Sequence, residues 1–127
     1  MNLSKVCKGV RQLKKYGPFL AIFFIALAFL MPHLFTHKLI LGADAPFHYN
    51  RFYDTAQQIK YGDFHYFPSL YGFQQSGRIV NAVYGPFFAY LQGLIVLLAG
   101  SWFHYQILSN FILYLISGFS MLILLRY

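Results

Sequence analysis

The sequence predicts an all-α integral membrane protein with about three transmembrane helices and an amphipathic, aromatic-rich outer loop between the first and second. Hydrophobic residues make up 58% of the chain and charged residues only 10%, whereas about a quarter of a soluble chain is charged. The apolar residues are grouped into runs long enough to cross a bilayer. Half of the ten basic residues precede the first run, with no acid among them, as the positive-inside rule expects of a cytoplasmic end.

The N-terminal part predicts an uncleaved membrane anchor. Residues 1–16 form a basic cytoplasmic segment that carries Lys5, Lys8, Arg11, Lys14 and Lys15. Residues 17–35 form the first transmembrane helix, whose apolar run is longer than that of a cleavable signal peptide. The net charge of +7 is therefore mostly a juxtamembrane cluster, which favours membrane lipids as partners and argues against nucleic acid.

Residues 36–81 form an extracytoplasmic loop that contains an amphipathic helix over about 44–61. Asp44 is placed to cap that helix, and Gly62 is placed to end it. At 100° per residue, one stripe is polar and consists of Asp44, His48, Arg51, Thr55 and Gln58. We expect the aromatic face on the other side to pack on the membrane surface or on the helix bundle.

Two further transmembrane helices are predicted over 82–99 and 102–125, joined by the short connection Gly100-Ser101. The last one carries polar residues, among them Gln106 and Ser109, that we expect to hydrogen-bond to neighbouring helices. The chain stops just after this apolar run, which leads us to expect a fragment of a longer multi-span protein.

The candidate chemistry lies where the first apolar run ends. Asp44 is a candidate catalytic base toward an acceptor hydroxyl, or a ligand to a divalent cation such as Mg²⁺ or Mn²⁺. Arg51 is a candidate to bind a phosphate through its planar guanidinium. The alternative is structural: Asp44 caps the helix and pairs with His48 and Arg51 one and two turns along.

Four sequence phrases occur in a particular order: GADAPFHYNRF over 42–52, YGDF over 61–64, YGF over 71–73 and NAVYGPFFAYL over 81–91. This order resembles one group of bacterial GT-C-type membrane glycosyltransferases. The group includes the YfhO-like proteins and those called 6-pyruvoyl-tetrahydropterin synthase-related membrane proteins. The resemblance covers about residues 41–125, and members of the group have many more spans.

The resemblance implies a polyprenyl-phosphate-linked sugar donor and transfer at the outer face of the bacterial cytoplasmic membrane. It implies Asp44 as the catalytic base or metal ligand, and His48 and Arg51 as substrate-binding residues. The 127 residues would then be the N-terminal part of the enzyme, inactive alone. The alternative from another class is a small non-enzymatic multi-span membrane protein, such as an assembly partner or a decayed fragment.

Overall fold

A computed structural model describes the backbone of residues 3–125 and the surroundings of side chains from residue 16 to residue 125. All regular secondary structure in this part of the chain is helical. The elements are α1 (Leu3–Thr36), α2 (Ala45–Tyr61), a 3₁₀ turn (Phe73–Gln75), α3 (Val80–Tyr84), α4 (Pro86–Ala99) and α5 (Trp102–Leu124). The all-helical prediction is therefore confirmed.

Two of these helices are long and apolar enough to cross a membrane, namely α5 and the part of α1 from Tyr16 to Thr36. The predicted span over 82–99 is divided at Gly85, whose φ of 74° separates α3 from α4. Helix α4 has 14 residues and a length of about 21 Å at 1.5 Å per residue. That is shorter than the hydrocarbon core of roughly 30 Å, so the count of three spans stays a prediction.

The described residues fall into two compact units, of which the first is formed by residues 3–36 and 110–125. In this unit Phe29 packs on Tyr114 and Phe19 on Phe119, with ring centroids 5.5 and 5.8 Å apart. A Cβ on Gly118 would lie 2.5 Å from Cγ2 of Ile22. Phe19 and Ile22 contact the later residues Phe119 and Gly118 of α5, whereas Phe29, further along α1, contacts the earlier residue Tyr114. The two helices therefore run antiparallel.

The second unit, His37–Ser109, is built around the packing of α2 on α4. The hydroxyl of Thr55 donates to the carbonyl of Ala89 at 2.8 Å. A Cβ on Gly93 would lie 2.5 Å from Oγ1 of Thr55 and 2.8 Å from the backbone nitrogen of Ala56. Small residues therefore bring the two backbones close together, as they do between membrane helices.

The first turns of α5 complete this second unit. The side chain of Gln106 bonds to both peptide groups of Ile40, accepting at 3.0 Å and donating at 2.7 Å. The hydroxyl of Ser109 donates to Oε1 of Gln92 at 3.2 Å. Gln106 also donates to the hydroxyl of Tyr49 in α2 at 3.1 Å, so the prediction that these polar side chains hydrogen-bond to neighbouring helices is confirmed for both residues.

Helix α2 has nearly the predicted bounds, and its aromatic face packs on the helix bundle, as expected: Phe52 is 6% exposed and its ring centroid lies 6.0 Å from that of Phe88. Most of the polar stripe is buried as well. Arg51 is 2% exposed, and Thr55 and Gln58 are fully buried, although all three belong to the predicted polar stripe. The physical reason is that irregular backbone around α2 carries peptide groups without helical partners, and polar side chains are needed to satisfy them.

Because the two candidate spans are antiparallel, we expect both chain ends to lie on the same side of the membrane. Cys7, the single cysteine, reports the N-terminal side, and Leu125→Cys in a Cys7→Ser background reports the other end. In intact cells, neither should react with a membrane-impermeant maleimide until the membrane is permeabilised. A three-span topology would instead make Leu125→Cys reactive from outside.

The close approach of α2 and α4 predicts that Gly93→Ala is destabilising, since backbone atoms of α2 would have to move. We expect a loss of about 1–3 kcal/mol, the usual cost of overpacking, measured as a lower midpoint of thermal unfolding in detergent. Gly42→Ala is the matched control, because a Cβ there meets nothing within 4 Å. Equal midpoints for both variants would contradict the packing described.

Candidate functional site

Asp44 occupies the N-cap position of α2 but does not act as a cap. Its backbone has φ −93° and ψ −2°, and its side chain makes no capping hydrogen bond. The side chain is exposed, and no ion pair to it occurs in the described part of the chain. The alternative in which Asp44 caps the helix and pairs with His48 and Arg51 is therefore wrong, and the carboxylate is uncommitted.

His48 lies one turn along α2 from Asp44, half-buried among aromatic rings. Its ring centroid is 5.3 Å from that of Phe47, 5.6 Å from that of Tyr84 and 6.1 Å from that of Phe52. These contacts fix the imidazole beside the N-terminal turns of α2. Its predicted role toward substrate stays a prediction.

Arg51 is buried and joins α2 to the break between α3 and α4. Its Nε donates to Oδ1 of Asn81 at 2.6 Å, and its Nη2 donates to the carbonyls of Gly85 at 2.6 Å and Tyr84 at 3.2 Å. The guanidinium also lies 5.3 Å from the centroid of the Tyr84 ring. Binding of a donor phosphate by Arg51 stays a prediction, whereas this structural role is directly visible.

The charge of Arg51 is held by neutral oxygens. No carboxylate lies within 4 Å of it among the described residues. Burial lowers the pKa of Arg51 from its ordinary value, and the neighbouring Tyr84 opposes that shift. A guanidinium remains protonated at physiological pH even so, so three charge-assisted hydrogen bonds stabilise this junction.

Asp54 is the buried anchor of the loop beside the candidate site, and the sequence reasoning missed it. It is fully buried, and its Oδ1 accepts from the backbone N–H groups of Tyr71 at 2.6 Å and Gly72 at 3.0 Å. Its Oδ2 accepts from Nε2 of Gln58 at 2.8 Å. A Cβ on Gly72 would lie 2.7 Å from the carbonyl oxygen of Asn50, so only glycine lets the loop come this close to α2.

Gln58 extends the same set of bonds to a second part of the loop and to α4. Its Oε1 accepts from the backbone N–H of His65 at 2.9 Å and from the hydroxyl of Tyr90. Its Nε2 also donates to the carbonyl of Pro68 at 3.4 Å. We call these four buried side chains of α2 the polar core: Arg51, Asp54, Thr55 and Gln58.

The spacing of the polar core contains a signal that could have revealed it. Asp54 and Gln58 are four residues apart, so they are neighbours on the same face of α2. Asp54 also follows Arg51 by three residues, which extends the polar stripe to about a third of the helix circumference at 100° per residue. What the spacing lacks is any indication that the partners are peptide groups of the loop.

The loop anchored by Asp54 adopts an unusual left-handed turn. Phe73, Gln74 and Gln75 have φ values of 50°, 58° and 58°, a conformation that costs L-residues other than glycine roughly 1–2 kcal/mol each. The loop is closed behind them, since the N–H of Ser69 donates to the carbonyl of Arg78 at 2.8 Å. Strain of this kind, held in place by its surroundings, tends to cluster at functional sites.

This turn borders a polar cavity of about 370 Å³ lined by Asn50, Phe73, Gln74 and Arg78. The guanidinium of Arg78 lies 5.6 Å from the centroid of the Phe73 ring, and that ring packs on Phe47 of α2 at 5.3 Å. The cavity is therefore positioned by the N-terminal half of α2, the helix that begins at Asp44.

A metal centre is not formed by the residues that the structure describes, since they contain no cluster of three His, Cys, Asp or Glu side chains. Asp63 and His65 pair at 2.8 Å in the loop after α2, but two groups are too few for a site. The candidate role of Asp44 as a metal ligand therefore needs further ligands from outside these residues.

Comparison with known proteins finds no matching family model, no similar curated protein and no similar solved structure. The resemblance to GT-C-type glycosyltransferases accordingly depends on the order of the sequence phrases alone.

The role of Asp54 predicts that Asp54→Ala releases the loop after α2. Two peptide N–H groups and one amide would lose a charged acceptor, at about 1–3 kcal/mol for each group left unsatisfied. We expect a lower unfolding midpoint and faster chymotrypsin cleavage within residues 64–73. Asp63→Ala is the control, because this exposed carboxylate makes a surface pair with His65 worth at most about 1 kcal/mol. Cleavage at the same rate in both variants would refute the anchoring role.

Proposed function

We propose that this chain is the N-terminal part of a GT-C-like membrane glycosyltransferase that uses a polyprenyl-phosphate-linked sugar at the outer face of the bacterial cytoplasmic membrane. The observation that carries the proposal is that the side chain of Asp44 is free to act on a substrate. Its carboxylate is exposed and has no hydrogen-bond partner within the described residues, although it stands at the start of a firmly held helix. The order of the sequence phrases supports the same assignment.

A general base has to be both available and correctly placed. Asp44 is available because it does not cap its helix. It is placed by α2, whose polar core bonds to the loop, to the α3–α4 junction and to α4 itself. Sites on such supported elements keep their geometry better than sites on loose segments.

In the proposed reaction, Asp44 accepts the proton of an acceptor hydroxyl. The hydroxyl oxygen forms a bond to the anomeric carbon of the donor sugar as the bond from that carbon to the phosphate oxygen breaks. The polyprenyl phosphate leaves with the electron pair. His48, on the same face one turn away, is the neighbouring side chain available to contact the substrate.

The membrane part of the proposal is supported by the exposed surface of α4. Phe87, Leu91, Leu94 and Leu98 are all exposed and follow one another at helical spacing along one face. The helix contains no charged residue, and its polar Tyr90 and Gln92 bond to other parts of the unit. We place this face against lipid, with α1 and α5 crossing the membrane and the N-terminus in the cytoplasm.

The proposal predicts that Asp44→Asn in the full-length protein lowers glycan transfer by at least about 100-fold, the usual contribution of a general base. The protein level in the membrane should not change, since the carboxylate makes no cap hydrogen bond. The measurement is the envelope glycan of a deletion strain complemented with each variant, with Asp63→Asn as the control.

Unchanged transfer in Asp44→Asn would overturn the role of this residue. A parallel loss of protein and transfer would assign Asp44 a structural role. An unaltered glycan profile in the deletion strain itself would favour the non-enzymatic membrane protein instead.

A further inference from the structure

The two arginines of the unit His37–Ser109 have different roles. Arg51 is buried and donates to three neutral oxygens, whereas Arg78 is exposed. In the described part of the chain, the Arg78 side chain makes a ring contact with Phe73 but no ion pair. Since a guanidinium is always charged in proteins, the cavity that Arg78 borders is electropositive.

The other polar walls of this cavity are carboxamides. Asn50 uses one N–H of its amide to donate to the carbonyl of Pro46 at 2.9 Å, which leaves its second N–H available. Gln74 borders the same cavity and supplies two more N–H groups. No carboxylate lines the cavity, so the lining consists of two carboxamides, one cation and the ring of Phe73.

The lining is held in position before any ligand arrives. Gly72, immediately before the left-handed turn, donates its N–H to the buried carboxylate of Asp54. Within the turn, Gln75 donates its N–H to the carbonyl of Gly72 at 2.9 Å. The guanidinium of Arg78 lies over Phe73, which itself lies against Phe47. A guanidinium held over an aromatic ring, beside a turn whose backbone is fixed, suits an anion with several oxygens.

We propose that the cavity of Asn50, Phe73, Gln74 and Arg78 binds the phosphate of the substrate, with Arg78 as the residue that contacts it. The identity of the phosphate as that of the sugar donor rests on the proposed function. Asn50 lies six residues after Asp44, about 9 Å along the axis of α2. The proposed base and the phosphate site are therefore both positioned by α2. Arg78 then performs the contact that the sequence suggested for Arg51.

The test measures binding without turnover. Full-length protein in phosphatidylcholine nanodiscs is titrated with a short-chain polyprenyl phosphate in the bilayer or with inorganic phosphate in solution, followed by ³¹P NMR. We expect Arg78→Gln to weaken binding of the polyprenyl phosphate at least tenfold. Lys60→Gln, which removes another exposed cation of the same unit, should change it less than twofold. Arg78→Lys keeps the positive charge but loses the planar guanidinium, so its affinity should lie between those of Arg78→Gln and the unaltered protein.

Unchanged binding in Arg78→Gln, or equal weakening by Lys60→Gln, would overturn the site. If Arg78→Gln fails to fold, Gln74→Ala takes its place, with weaker binding expected from the loss of an amide donor. Equal affinity for inorganic phosphate would support a phosphate site but overturn its assignment to a lipid-linked donor.

The outcome is separable from that of the proposed function, because Asp44→Asn should bind the polyprenyl phosphate as tightly as the unaltered protein. Loss of binding in Arg78→Gln, together with full transfer by Asp44→Asn, would support the phosphate site and overturn the assignment of the base.

Discussion

The fold of the unit His37–Ser109 depends on how it satisfies peptide groups that leave helical geometry. The break at Gly85 exposes carbonyls, and the loop after α2 exposes N–H groups. Such groups cost free energy if buried without partners. Helix α2 supplies the partners: Arg51 donates to the carbonyls, and Asp54 accepts from the N–H groups. One helix therefore carries most of the polar bonds that hold the unit together.

This arrangement also explains which small residues the unit requires. Gly72 has to pass close to the carbonyl of Asn50 for its N–H to reach Asp54, and Gly93 has to pass close to Thr55 for α4 to pack on α2. In both places the absence of a Cβ lets two backbone segments come close enough for the hydrogen bond to form. A larger side chain would lengthen the bond and thereby expose the group that the bond satisfies.

Much of the helical framework could be predicted because its signals are local. Asp44 and Gly62 mark the ends of α2, and run lengths mark the apolar part of α1 and α5. The break at Gly85 was missed because hydropathy is averaged over a window that includes both sides. The partners of Asp54 lie 17 and 18 residues away and are peptide groups, so side-chain periodicity contains no trace of them. The left-handed turn likewise uses Phe73 and two glutamines, residues that give no turn signal.

The long sequence separation of these bonds bears on how the protein is made. The carbonyl acceptors of Arg51 lie 33 and 34 residues further along the chain, so α2 is synthesised before they are. During that interval its charged side chains are hydrated, and each would cost about 2.5–3.5 kcal/mol at the centre of an inserted helix. This cost disfavours α2 as a membrane span in its own right. The bonds of the polar core to α4 can form only once α4 has been synthesised, so the unit cannot complete its fold before that point.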